Sequence, residues 1–362
     1  MNYDPKKDNV ILPVEIVLAP QWWYENENIT FDQDFFYNPL KRVEVERRME
    51  QVLYDRFGQY GQGSDRDKNI PQIGAVHLAA GFLLSEMFGC KVEYKADAPP
   101  QVVPLEMDDI TALDVDAVFN SHTYKKIVRL AESLKTTYGG IAGDINWGGI
   151  LNIALDLRGE TLFMDMFDKP EQVKEFFYKI AFVLKRFTSK IQSETGTSSI
   201  SVNRTVKHFH NPVFLHSECS HTMISIEHYE EFLFDIDCKW SRLNRPFGIH
   251  YCGSDPHRYA EAFAKIPNLD FLDVGWGGDI KRLRQYLPNT FLNIRLSPVE
   301  ILQQTEQEIR DTICRLVLES GKPNLTGICC INMDSTVEDS RISTIFKTVH
   351  ELRRAFITLH QE

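Results

Sequence analysis

The sequence predicts a single (β/α)8 barrel with an extended N-terminal segment, on three observations. Eight short apolar runs recur along the chain, at residues 14–19, 74–77, 140–145, 212–218, 247–251, 269–274, 291–296 and 326–331. Helical patterns lie between them, as parallel strands require. No Gly-x-Gly-x-x-Gly follows any of these runs, and the nearest glycine cluster, Gly139-Gly140 to Gly148-Gly149, has another spacing. A dinucleotide-binding, doubly wound sheet is therefore the weaker choice, and eight strands close into a barrel. The 362 residues suffice for one large domain, so residues 1–362 read as one barrel domain.

In chain order, residues 14–19 are the first strand. The rest of residues 1–70 is polar and aromatic, an insertion and candidate lid. Asp168-Lys169-Pro170-Glu171 reads as a helix start: a cap residue, a proline in the first turn, then an acid near the positive end of the dipole. Val173, Phe176, Phe177, Ile180 and Val183 then recur at helical spacing. Residues 226–240 and 298–318 each carry one further helical pattern. Lys41-Arg42 and Arg47-Arg48 read as a solvated helix face.

Lys and Arg total 40 against 51 Asp and Glu, a net charge of −11. This excludes a general nucleic-acid binder, which needs a basic face to release counterions. No apolar run nears the ~18 residues of a membrane helix. Residues 1–9 are polar, without the apolar centre of a signal peptide, so a cytoplasmic location is expected. Seven scattered cysteines in such a chain are not a disulfide framework, and most read as buried apolar thiols.

Barrel catalysis sits at the C-terminal ends of strands. One strand closes as His250-Tyr251-Cys252-Gly253. Residues i and i+2 of a strand share a face, so His250 and Cys252 point the same way. The last strand closes on Cys329-Cys330, and the 212–218 strand on His216-Ser217-Glu218-Cys219. One imidazole, two thiolates and a carboxylate from three strand ends would make a tetrahedral zinc site. The bland alternative is an ordinary hydrogen-bonding histidine beside packing cysteines. Asp144, Asn146 and Trp147 follow a strand and are candidates to line the pocket. Arg295 is a candidate for an anionic substrate tail. Trp22, Trp23 and Trp276 are pocket wall or, by default, aromatic core. His208, His210, His216 and His221 read as a solvated loop cluster.

Several segments resemble the uroporphyrinogen decarboxylase superfamily over nearly the whole chain. They are Ser85-Glu86-Met87-Phe88-Gly89-Cys90-Lys91-Val92; Gly159-Glu160 through Asp168-Lys169-Pro170-Glu171-Gln172-Val173; Ile224-Ser225 with Tyr229 and Phe232; and Asn293 to Pro298. The resemblance implies a barrel, and it is closest to the zinc-dependent branch that moves methyl groups between a corrinoid protein and a thiol. The decarboxylases follow their first strand with an arginine pair and end the last strand in Gly-His-Gly. Here Gln21-Trp22-Trp23-Tyr24 and Cys329-Cys330 stand in those places.

The resemblance implies His250, Cys252 and Cys329 as zinc ligands. Glu218 is then the catalytic carboxylate or the fourth ligand. Asp144, Asn146, Trp276 and Arg295 remain as substrate-binding candidates. Cys330 falls where the family has glycine and is expected to face away from the site. The implied partners are a corrinoid (cobalamin) protein and a small thiol or methylated substrate, since no Asp-x-His-x-x-Gly stands in this chain. A homodimer is an allowed assembly. The alternatives are a decarboxylase-like lyase with altered substrate, a folate-using site like that of cobalamin-independent methionine synthase, and a non-catalytic barrel that binds a tetrapyrrole or partner.

Overall fold

The computed structural model describes residues 10–63, 71–73, 81–143, 148–196, 208–211 and 213–359. The strands in chain order are β1 (Val14–Leu18), β2 (Lys91–Glu93), β3 (Gln101–Val103), β4 (Phe214–Ser217), β5 (Phe247–His250), β6 (Phe271–Val274), β7 (Phe291–Leu296) and β8 (Thr326–Met333). Six form one parallel sheet in the order β1-β8-β7-β6-β5-β4. Every residue of β4, β5, β6 and β7 is buried. That is the signature of strands covered by helices on one face and packed into a barrel interior on the other.

The fold is an α/β barrel of the TIM type. The two remaining strand-like runs, 74–77 and 140–145, lie wholly or partly outside the described residues. The parallel bridge between Gln72 and Ala142 stands where they begin. The β2–β3 pair is a small antiparallel ribbon that no apolar run announces, because it is short and only partly buried.

Helices supply each crossover from β4 onward, and three helical patterns of the chain differ from expectation. The run at 226–240 is two helices, Ile226–Phe232 and Phe234–Leu243. The run at 298–318 breaks into Pro298–Gln303 and Glu306–Ser320. Thr305 starts the second of these with a reciprocal capping box to Glu308, which satisfies two orphan N–H groups and makes a fresh start cheaper than continuation. The helix Pro170–Thr195 has Lys169 at its N-cap, not Asp168, which ends the preceding helix.

The segment after β1 is helical: Pro20–Glu27, Gln33–Tyr37 and Pro39–Phe57. Trp22, Trp23, Phe31, Phe35 and Phe36 are buried in its core. Arg42 is buried as well, 2.6 Å from Glu46 and stacked over Phe35 at 4.7 Å. The helix face expected to be solvated is thus partly core, where a paired guanidinium lies flat on aromatic rings.

Candidate metal centre

β4 and β5 pair with Ser217 opposite His250. Two residues farther along, Cys219 and Cys252 leave their strands side by side. The Cys219 and Cys252 sulfurs are 3.0 Å apart, and His250 Nε2 is 2.8 Å from Cys252 Sγ. Among the described residues, these three form the cluster whose ligand atoms all lie within 4.8 Å of one another. Close approach of the strand ends needs glycine: a Cβ on Gly275 would meet the Gly253 carbonyl at 1.9 Å.

The loop that carries Cys219 is tied to the loop that carries Cys252. Tyr259 Oη donates to the His221 carbonyl at 2.8 Å, and Arg258 Nη2 donates to the carbonyls of His221 and Ile224 at 2.8 and 3.0 Å. The His221 ring is buried against Tyr229, Tyr251, Tyr259 and Phe263, with no hydrogen-bond partner for either nitrogen among the described residues. Burial, then the nearby His216 and Arg258 charges, hold its pKa well below the usual value. His216 is buried between two carboxylates, Asp237 Oδ1 2.7 Å from Nδ1 and Glu218 Oε2 3.4 Å from Nε2, which outweigh the effect of burial and lift its pKa to about 10. Neither residue is the solvated loop histidine that the sequence suggested.

Behind His250 stands a polar layer in register across β5, β6 and β7. His250 pairs with Asp273 and Asp273 with Asn293. Asp273 Oδ2 is 2.6 Å from His250 Nδ1, and Asn293 Nδ2 donates to Asp273 Oδ1 at 2.9 Å. Arg295 completes the group: Nη2 is 3.4 Å from Asp273 Oδ2 and Nη1 is 3.6 Å from Cys252 Sγ. The hydrogen bond from Cys219, then His250 and Arg295, hold the Cys252 thiol well below its usual pKa against the opposing effect of burial. The Cys219 thiol keeps its proton, raised by that same hydrogen bond and by burial. Burial disfavours the His250 cation, but the Cys252 and Asp273 charges outweigh it and lift its pKa to about 9.

The expected residues fall as follows. His250 and Cys252 are in the cluster. Cys329 is buried and accepts from Asn293 Nδ2 at 3.4 Å; its sulfur is not in the cluster, where Cys219 stands instead. Cys330 joins the apolar core, its thiol donating to the Leu296 carbonyl at 3.6 Å. The Glu218 carboxylate accepts from the backbone N–H groups of Leu151, Asn152 and Ser220 at 2.8, 3.2 and 3.2 Å. It caps the helix Ile150–Arg158 and lies close against Gly149, where a Cβ would meet its Oε2 at 2.4 Å. Arg295 is engaged by protein groups, and Trp276 is 37% exposed in the turn after β6. Asp144 and Asn146 lie outside the described residues.

Asp273, Asn293 and the ligand place of Cys219 are not among the residues the sequence singles out for the site. The available signal was the buried polar residues in otherwise apolar strands, Asp273 in Phe271–Val274 and Asn293 with Arg295 in Phe291–Leu296.

The donor set suits a soft or borderline metal. Thiolates and imidazole select zinc over the hard, oxygen-bound cations. Cys219, His250 and Cys252 would hold such a metal.

The family model "Uroporphyrinogen decarboxylase (URO-D)" matches residues 75–351. The chain belongs to the uroporphyrinogen decarboxylase family. Its fold is similar to that of a methyltransferase from Methanosarcina mazei, at 11% identity and TM-score 0.66, over 96% of this chain and 95% of that one. It is also similar to a B12-independent methionine synthase from Shewanella sp. W3-18-1 in complex with selenomethionine, at 9% identity and TM-score 0.52, over 97% and 99%. A comparison with curated proteins returns no match. Among the described residues, no helix is long and apolar enough to cross a membrane.

Proposed function

We propose that this family member is a zinc-dependent methyltransferase that moves a methyl group between a corrinoid protein and a small thiol. The observation that carries the reading is the Cys219–His250–Cys252 cluster with Asp273 hydrogen-bonded behind the imidazole. Both structural neighbours described above carry names that denote methyl transfer, which supports the same class. Bound there, zinc would supply the Lewis acidity that lets a substrate thiol ionise near neutral pH.

The chain's own residues prepare that chemistry. Asp273 holds the His250 ring so that Nε2 faces the thiols. Cys219 and Cys252 supply anionic donors, which keep a thiol ionised at the site electron-rich and therefore nucleophilic. Three protein donors leave a fourth position for that thiol, the arrangement of catalytic rather than structural zinc. Forming the sulfur–carbon bond breaks the methyl–cobalt bond of the partner's corrinoid. The bonding electron pair stays with cobalt, and the thiol proton leaves to solvent.

Metal analysis and thiol-dependent demethylation of methylcobalamin test the reading together. One zinc per chain is expected, with demethylation abolished by a chelator and restored by zinc. The large apolar core folds without a metal staple, so chelation should lower the thermal midpoint by only a few °C. Protein that takes up no zinc, or that demethylates equally well after chelation, would overturn the proposal. Global unfolding on chelation would make the metal structural.

A further inference from the structure

Two cysteines compete for the place beside Cys252, and they approach from opposite sides. Cys219 follows β4, the strand next to β5, and its sulfur is 3.0 Å from that of Cys252. Cys329 is on β8, three strands from β5 through β6 and β7. Arg295 on β7 is in register with Cys329. Its guanidinium donates from Nη1 to Cys252 Sγ at 3.6 Å. In the strand order, Arg295 on β7 thus lies between Cys329 on β8 and Cys252 at the end of β5, with its guanidinium against the Cys252 sulfur.

Arg295 has no easy way out. It is 2% exposed, and its charge is compensated by Asp273 at 3.4 Å. Withdrawal would strand both a buried cation and the carboxylate that orients His250, and breaking a buried ion pair in this way is strongly unfavourable. Cys219 needs no such rearrangement. We propose that Arg295 selects the sulfur that completes the metal site: it bars Cys329 and leaves Cys219 as the third protein ligand. Arg295 is thus a positioning residue, and Cys329 is a wall thiol held by Asn293.

The proposal rests on the zinc-site reading above, and its test separates the two. Wild type, C219S, C329S, C219S/R295M and C219S/R295Q would be stripped of metal and titrated with Co(II), then zinc, against a competing chelator. The near-ultraviolet thiolate-to-Co(II) band counts sulfur ligands, and the competition gives affinity. C329S should match wild type in both. C219S should lose about half the band and bind zinc at least roughly tenfold more weakly, since even loss of an outer partner costs 10–100-fold. Removing the guanidinium in either double variant should restore the band and recover affinity through Cys329. Two double variants are used so that misfolding of one leaves the other as a measurement.

Loss of the band in C329S with an unchanged C219S would overturn the assignment while leaving the zinc reading standing. Double variants that fold and bind no better than C219S would overturn the role of Arg295. A wild-type protein that binds neither metal would overturn both the zinc reading and this proposal.

Discussion

Asp273 Oδ2 lies 2.6 Å from His250 Nδ1, and this contact fixes which imidazole nitrogen faces the two thiols. A carboxylate on the far nitrogen both orients a ligating histidine and raises its basicity. Asp273→Asn should weaken zinc roughly 10- to 100-fold in a competition titration, with the circular dichroism spectrum unchanged. Unaltered affinity would show that the Asp273 contact does not set the basicity of the ligating nitrogen.

Zinc binding should release protons. At pH 7.5 His250, with its pKa lifted to about 9, is protonated, and so is Cys219, while Cys252 is already a thiolate. Loading the site therefore expels about two protons, because ligands bind deprotonated. The dependence of calorimetric binding enthalpy on buffer ionisation enthalpy reads this number directly. It should fall as pH rises through 9, and a count near zero at pH 7.5 would refute the protonation pattern.

Glu218 should behave as a helix cap and not as a ligand. Its oxygens accept three backbone N–H groups, and leaving such buried donors unpaired costs about 1–3 kcal/mol. Glu218→Ala should lower the thermal midpoint by several °C while keeping full zinc stoichiometry. Glu218→Gln, which retains one acceptor oxygen, should lose less. Zinc lost in both variants would restore Glu218 to the ligand set.

Asp156 is an internal source of pH-dependent stability. Burial, opposed by the Ser85 hydrogen bond and assisted by the Glu218 charge, raises its pKa from 3.8 to about 6. The folded chain holds this proton more tightly than the unfolded one. The associated stability is complete below the unfolded pKa and is lost as pH rises through about 6. Asp156→Asn should therefore raise the thermal midpoint at pH 7–8, by an amount corresponding to at most about 3 kcal/mol, and make no such gain near pH 4. A variant less stable than wild type at pH 7.5 would contradict this.

Much of the barrel is legible in the chain because its strands are buried on both faces and appear as short, mainly apolar runs. Six of the eight expected runs correspond to strands of the parallel sheet. The helix breaks at Leu233 and at Thr305 were less legible. Apolar residues continue across Leu233, while the polar stretch 303–308 and the capping box at Thr305 mark the second break. Arg42 illustrates a different limit. Its burial depends on Phe35 and Glu46 folding over it, which no charge pattern announces.

At the candidate site the division is physical. His250 and Cys252 stand two apart on one strand end, so the alternation of a β-strand is enough for the sequence to place them together. Cys219, Asp273 and Arg295 come from three other strands. Their meeting depends on the parallel register, Ser217 opposite His250, His250 opposite Asp273 and Arg295 opposite Cys329. A one-residue slip in any pair would turn those side chains to the opposite face. The presence of an imidazole–thiol site was thus determined locally, by residues 250–252. Which sulfur stands beside it, and which carboxylate holds its ring, was decided only when the strands aligned.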